Sequence, residues 1–206
     1  MRDASPKTIH LEDYRPPAFL VDQVHLRFDL REEGTSVRSR LTMRRNPVYQ
    51  GEPDLWLDGE QLEPVSFSLD GVPLADSLLS IEKSGVRIQA PPDAFILETE
   101  VRIAPENNTA LEGLYRSGGM FCTQCEAEGF RRITWIPDRP DVMARFTTTI
   151  EADKASYPIL LSNGNPSDAQ ELNNGRHRIT WTDPFPKPSY LFALVAGDLA
   201  LLEDSF

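Results

Sequence analysis

The chain reads as all-β, an antiparallel β-sandwich with long loops and few short helical turns, and three observations predict it. Apolar residues recur with period two over stretches of strand length. Turn dipeptides, among them Asp58-Gly59, Asp70-Gly71, Ser84-Gly85 and Asn174-Gly175, separate those stretches at short intervals. No apolar stripe at helical spacing lies between them, and 17 prolines against 12 glycines favour many short elements over long helices. Regularly spaced short strands of this kind build sandwiches.

Residues 1–19 are polar and broken by Pro6, Pro16 and Pro17, which predicts an extended arm ahead of a β-domain spanning 20–206. Leu20, Val24, Leu26, Phe28 and Leu30 share one parity and Gln23, His25, Arg27 and Asp29 the other, the pattern of a half-buried strand. After the Glu32-Glu33-Gly34 turn, Thr35, Val37, Leu41 and Met43 alternate with Arg38, Arg40 and Arg44, completing a hairpin whose arginines read first as a solvated face, with an anion site as the lesser alternative. Leu55-Trp56-Leu57 makes a short strand, and Val65, Phe67 and Leu69 the inward side of the next. Leu79 and Ile81 pair with Val86 and Ile88. The clearest strand places Phe95, Leu97, Val101 and Ile103 inward against Glu98, Glu100 and Arg102.

Residues 104–119 read as a long loop with Asn107, Asn108, Gly113, Gly118 and Gly119 free to take unusual backbone angles. Phe146, Thr148 and Ile150 resume the strand pattern, followed by Ile159-Leu160-Leu161 and by His177, Ile179 and Trp181. Asp183 to Pro188 is expected to be a rigid connector, and Tyr190 to Ala196 a strand buried on both faces. The stop at Glu203-Asp204-Ser205-Phe206 has the look of a cut.

Twenty-one Lys and Arg against 32 Asp and Glu give a net charge of −11. That field repels phosphate backbones, so nucleic acid and anionic membrane are not expected partners. No 18-residue apolar run and no signal-type N-terminus occur, and the only cysteines are Cys122 and Cys125, so a cytoplasmic protein is expected.

The candidate chemistry lies in 120–146, MFCTQCEAEGFRRITWIPDRPDVMARF, a polar irregular window between strands, where a rigid scaffold can hold a working loop. Its centre is Gln124-Cys125-Glu126. Cys122 and Cys125 form a C-x-x-C, but no βαβ pattern surrounds it, no second C-x-x-C exists, and His10, His25 and His177 are scattered. Two ordinary thiols are the simpler reading. Glu126 and Glu128 would point to opposite sides of an extended segment, against a shared acid–base role. Arg131-Arg132 and Asp138-Arg139-Pro140-Asp141 suggest an ion-pair network that fixes the loop, with Asp138 or Asp141 capping a helical turn. No catalytic residue set and no metal site is complete in this chain.

The run 107–154, from NNTALEGLYRSGG through MFCTQCEAEGFRRITWIPDRPDVMARFTTTIEADK, resembles the bacterial aminopeptidase N family of zinc metalloenzymes, as do LLSNGN (160–165) and DPFPKPSYLFALVAGD (183–198). The resemblance implies a saddle-shaped N-terminal β-domain of packed sheets. The catalytic zinc domain, with G-x-M-E-N and H-E-x-x-H, is absent from residues 1–206, so the zinc ligands belong to the full-length enzyme and the fragment alone is expected inactive. It also implies that Glu126 binds the free α-ammonium of a peptide substrate and that Gln124 lines the pocket for its first side chain. Trp135-Ile136 sits where relatives often carry other residues, so a different pocket wall is expected. The partners implied are peptides with a free N-terminus and the chain's own catalytic domain. The alternative is a stand-alone, non-catalytic β-sandwich module that offers the Gln124–Glu126 loop to a peptide or protein. A C-x-x-C metal or redox module is a third reading.

Overall fold

Alternating apolar residues and tight turns organise the chain into sixteen strands within the residues described, 10–204, in a computed structural model. The first eight are β1 (Phe19–Asp29), β2 (Thr35–Arg45), β3 (Leu55–Asp58), β4 (Glu63–Leu69), β5 (Val72–Pro73), β6 (Leu79–Glu82), β7 (Gly85–Ile88) and β8 (Ala94–Ile103). They are followed by β9 (Gly113–Ser117), β10 (Met120–Gln124), β11 (Ala144–Asp153), β12 (Ile159–Ser162), β13 (Asn165–Pro166), β14 (Gln170–Glu171), β15 (Arg176–Lys187) and β16 (Leu194–Gly197). The helical content is confined to three-residue 3-10 turns, one of them at Phe130–Arg132.

Three sheets result. The large one runs β13-β15-β11-β1-β2-β8-β4-β5, with β14 also on β15; β12-β16-β10-β9 and β3-β7-β6 form the smaller two. Every pair is antiparallel except β1 with β11. The large sheet keeps one face apolar, with Val24, Leu26, Phe28, Val37, Leu41, Leu97, Val101 and Ile150 almost fully buried. Phe28 and Phe146 from that sheet meet Phe130 and Phe192 in one aromatic cluster with ring centroids 5.2–6.1 Å apart. Burying such rings is the main driving force available to a helix-poor domain.

Bulges change two of the expected parities. A register shift between Val21 and Gln23 turns Phe19 and Val21 into the core and leaves Leu20 half-buried. A second shift, between Pro64 and Ser66, turns Val65 outward to 47% exposure. The second half of the expected 104–119 loop is instead strand β9, which doubles back on β10 at Gly118-Gly119, both at positive φ. The expected connector 183–188 is largely strand, since β15 continues to Lys187. Its prolines are tolerated because the register with β11 is broken there, between Ala144 and Phe146. Tyr190 to Ala196 is not a strand buried on both faces. A 3-10 turn takes Ser189–Leu191, β16 has four residues, and Ala193 and Leu191 are exposed.

Residues 1–9 of the expected arm, and Ser205 and Phe206, lie outside the described residues. The rest of the arm is tied down: Tyr14 donates to the Asp141 carboxylate at 2.9 Å, and Arg139 donates to the Arg15 carbonyl at 2.8 Å.

Candidate functional site

Hairpin β9–β10 sets the position of the candidate tripeptide. Its register runs from Met120 opposite Ser117 to Gln124 opposite Gly113, so Gln124 is the last paired residue and lies exposed. The next side chain, Cys125, turns inward and is 3% exposed. Glu126, Ala127 and Glu128 then form an exposed turn, with a cis peptide bond between Glu126 and Ala127. The segment is not extended, so the expected alternation of Glu126 and Glu128 does not apply. The Gly129 N–H donates to the Cys125 carbonyl at 2.8 Å and closes the turn. Only glycine fits at 129, because a Cβ there would stand 2.4 Å from the Gln124 carbonyl oxygen and 3.0 Å from the Gly113 nitrogen.

The turn is anchored from beneath. Phe130 is fully buried in the aromatic cluster. Asp138, 4% exposed, accepts hydrogen bonds from the Arg131 N–H at 3.2 Å, from Arg131 Nε at 3.0 Å and from the Ser189 hydroxyl. Gly129 has no side chain to cap the 3-10 turn, and Asp138 supplies the acceptor from seven residues away. The N–H of Asp138 donates to Asp58 Oδ2 at 2.9 Å, and Trp56 Nε1 donates to Asp58 Oδ1 at 3.1 Å, which links the loop to β3. Arg132 reaches Glu60 at 2.9 Å, Glu112 at 3.3 Å and Gln61 at 2.6 Å. Burial pulls the Arg131 pKa down, but the Asp138 hydrogen bond and the charges of Asp58, Asp138 and Glu128 outweigh it and raise the value. That guanidinium is locked in its charged form.

Within this frame the polar groups of the turn differ. Glu128 pairs with Arg131 at 3.5 Å. Gln124 Nε2 donates to the Glu126 carbonyl at 3.2 Å, so the amide is oriented toward the turn it flanks. The Glu126 carboxylate makes no hydrogen bond or ion pair among the described residues. An exposed, rigidly mounted carboxylate beside an oriented amide can accept N–H bonds from a cationic ligand.

The two cysteines are unbridged and lie in unlike settings, Cys122 half-buried and Cys125 buried. Cys122 sits on β10 opposite Tyr115 and not at a helix N-terminus. Burial, with a smaller contribution from Asp138, pushes the Cys125 thiol far above its usual range, which disfavours the thiolate. Among the described residues no group of three or more His, Cys, Asp or Glu is placed to hold a metal ion. His25 and His177 lie apart on β1 and β15. Trp135 and Ile136, each 2% exposed, are core residues, and Trp135 packs against Phe67; they form no exposed pocket wall here. The roles of Asp58, Gly129 and Ser189 were not read from sequence, because each depends on partners brought together by the fold. Gly129, an isolated glycine beside an acidic turn, carried the one available signal.

Comparison with known proteins agrees with this architecture. A family model described as the peptidase M1 N-terminal domain matches residues 15–191. Aminopeptidase N of Caulobacter vibrioides is 53% identical over 206 residues, 100% of this chain and 24% of that protein. Aminopeptidase N of Escherichia coli is 49% identical over 203 residues, 98% of this chain and 23% of that protein. The chain thus spans about a quarter of the length of these relatives. Among solved structures, Legionella pneumophila aminopeptidase A in complex with aspartic acid superposes with a TM-score of 0.88 at 39% identity, covering 92% of this chain and 22% of that one. An M1 zinc metallopeptidase from Deinococcus radiodurans, at 18% identity and a TM-score of 0.75 over 89% of this chain and 43% of its own, shares the fold.

Proposed function

Because the chain belongs to the peptidase M1 N-terminal domain family, we propose that it is the substrate-anchoring part of a longer zinc aminopeptidase that releases N-terminal residues from peptides. The observation that carries this reading is the unpartnered, exposed Glu126 carboxylate on a turn fixed at both ends. A peptide α-ammonium has a pKa of about 7.7–8.0 and is largely protonated near neutral pH. Glu126 accepts its N–H bonds with charge assistance, and Gln124, at the end of β10, borders the pocket for the first side chain. An internal peptide bond has no ammonium, so the same contact restricts cleavage to the N-terminal bond.

The described residues do not fit a zinc site, so the zinc of the full-length protein is assigned to the part of the protein outside this domain. The residues here bind and orient; no step of the hydrolysis is theirs. Two unbridged cysteines support a reducing, cytoplasmic setting, and no described helix is long and apolar enough to cross a membrane.

A charge-assisted hydrogen bond contributes about 1.5–3 kcal/mol. Glu126→Gln in the full-length protein therefore lowers kcat/KM on aminoacyl substrates by about one to two decades. Unchanged kinetics would remove Glu126 from the site.

A further inference from the structure

The outer face of the large sheet carries an arrangement that ammonium anchoring leaves unused. Arg27 on β1 stands directly opposite Arg38 on β2, and like charges so placed repel. In the next row Asp29 lies between Glu151 of β11 and Ser36 of β2, with Arg102 of β8 beyond. These residues line a concavity of about 500 Å3, within the size range of small-molecule sites.

The carboxylates in it are shared. Glu151, with its side chain 10% exposed, takes Arg27 at 2.6 Å and Arg178 at 2.7 Å. Asp29 takes Arg31 at 2.9 Å and also Arg176. Glu100 takes Arg38 at 3.0 Å and lies in the field of Arg102, whose ion pair among the described residues is a 4.0 Å contact with the exposed Glu63. The acids lie low, with side chains 10–31% exposed, beneath the heads of Arg27, Arg31, Arg38 and Arg102, which are 46–66% exposed. Each guanidinium has five N–H donors and these pairs use one or two. Glu33 is the opposing feature: it also lines the concavity and has no partner among the described residues. A ligand entering here meets mainly guanidinium donors, on a chain whose net charge is −11.

We propose that this groove binds a small polyanion carrying two or more phosphate or carboxylate groups, held by bidentate contacts from Arg27, Arg31, Arg38 and Arg102. The lining itself is balanced, four arginines against Asp29, Glu33, Glu100 and Glu151, but Arg176 and Arg178 share Asp29 and Glu151 from outside it, so the floor carboxylates fix the arginines without neutralising all of them. The proposal does not rest on the role of Glu126. Its test is titration calorimetry of the full-length protein with inorganic tripolyphosphate and, separately, citrate, at low and raised salt. The expected result is saturable 1:1 binding that weakens with salt, the tighter probe indicating whether phosphate or carboxylate is preferred. Arg38→Gln and Arg102→Gln each weaken it roughly three- to fivefold, and Glu33→Gln strengthens it. Arg145→Gln, outside the concavity, leaves it unchanged. No saturable binding of either probe overturns the proposal. So does binding indifferent to Arg38, Arg102 and Glu33, or equally reduced by Arg145→Gln.

Discussion

Asp138 ties together groups from different parts of the chain. The Arg131 backbone and guanidinium and the Ser189 hydroxyl donate to it, and through Arg131 it reaches the turn that bears Glu126. Asp138→Asn keeps the shape but removes the charge, leaving Arg131 half-buried and undercompensated. In the full-length protein we expect a raised KM for aminoacyl substrates with a smaller change in kcat, measured beside a melting curve. A lost melting transition at unchanged KM would mean that Asp138 serves stability alone. Gln124 belongs to the same scale: its replacement should alter preference among first residues more than the maximal rate, read from a panel of aminoacyl substrates. Local sequence made Gln124, Glu126 and the arginine–aspartate network visible. It did not show that Glu128 is paired and Glu126 is not, since that difference comes from where Arg131 is pulled by a residue seven positions on.

The hairpin and turn are positioned by close backbone approach, and Gly129 is its tightest point. Gly129→Ala would drive a Cβ into the Gln124 carbonyl. It should cost about 1–3 kcal/mol in chemical unfolding, with a loss of substrate affinity greater than any neighbouring exposed substitution, such as Glu128→Gln, produces. The loop 137–142 supplies a pH dependence. Its Arg139 hydrogen bond first, and that of Tyr14 next, hold the Asp141 carboxyl below its usual range against burial. The folded state thus binds fewer protons at Asp141 than the unfolded state. Stability from it is fully present above the unfolded carboxylate pKa and is lost as pH falls through the folded one. Unfolding curves should show a drop in stability at acid pH that is smaller in Asp141→Asn; equal drops would remove Asp141 as a contributor. Elements were legible where period two held without interruption, as in β2 and β8. They were not where a bulge flipped parity at Val21 and Val65, or where Gly118-Gly119 disguised the β9–β10 hairpin as loop.

At the scale of the molecule, three sheets share one hydrophobic core, and the Glu126 turn and the arginine groove lie on the polar exterior. The all-β class followed from spacing and turn chemistry. The parallel pairing of β1 with β11 did not, because it joins residues more than a hundred positions apart and no local signal sets it. Family membership fixes the chain as an M1 N-terminal domain, and the task we propose for that domain rests on the unpaired Glu126 carboxylate. The direct test is a cycle in which the full-length protein and its Glu126→Gln variant each bind a non-hydrolysed peptide analogue and its des-amino counterpart. A coupling of about 1.5–3 kcal/mol between Glu126 and the ammonium is the predicted result. Equal discrimination between the two ligands by both proteins would contradict it and leave the ammonium to another residue.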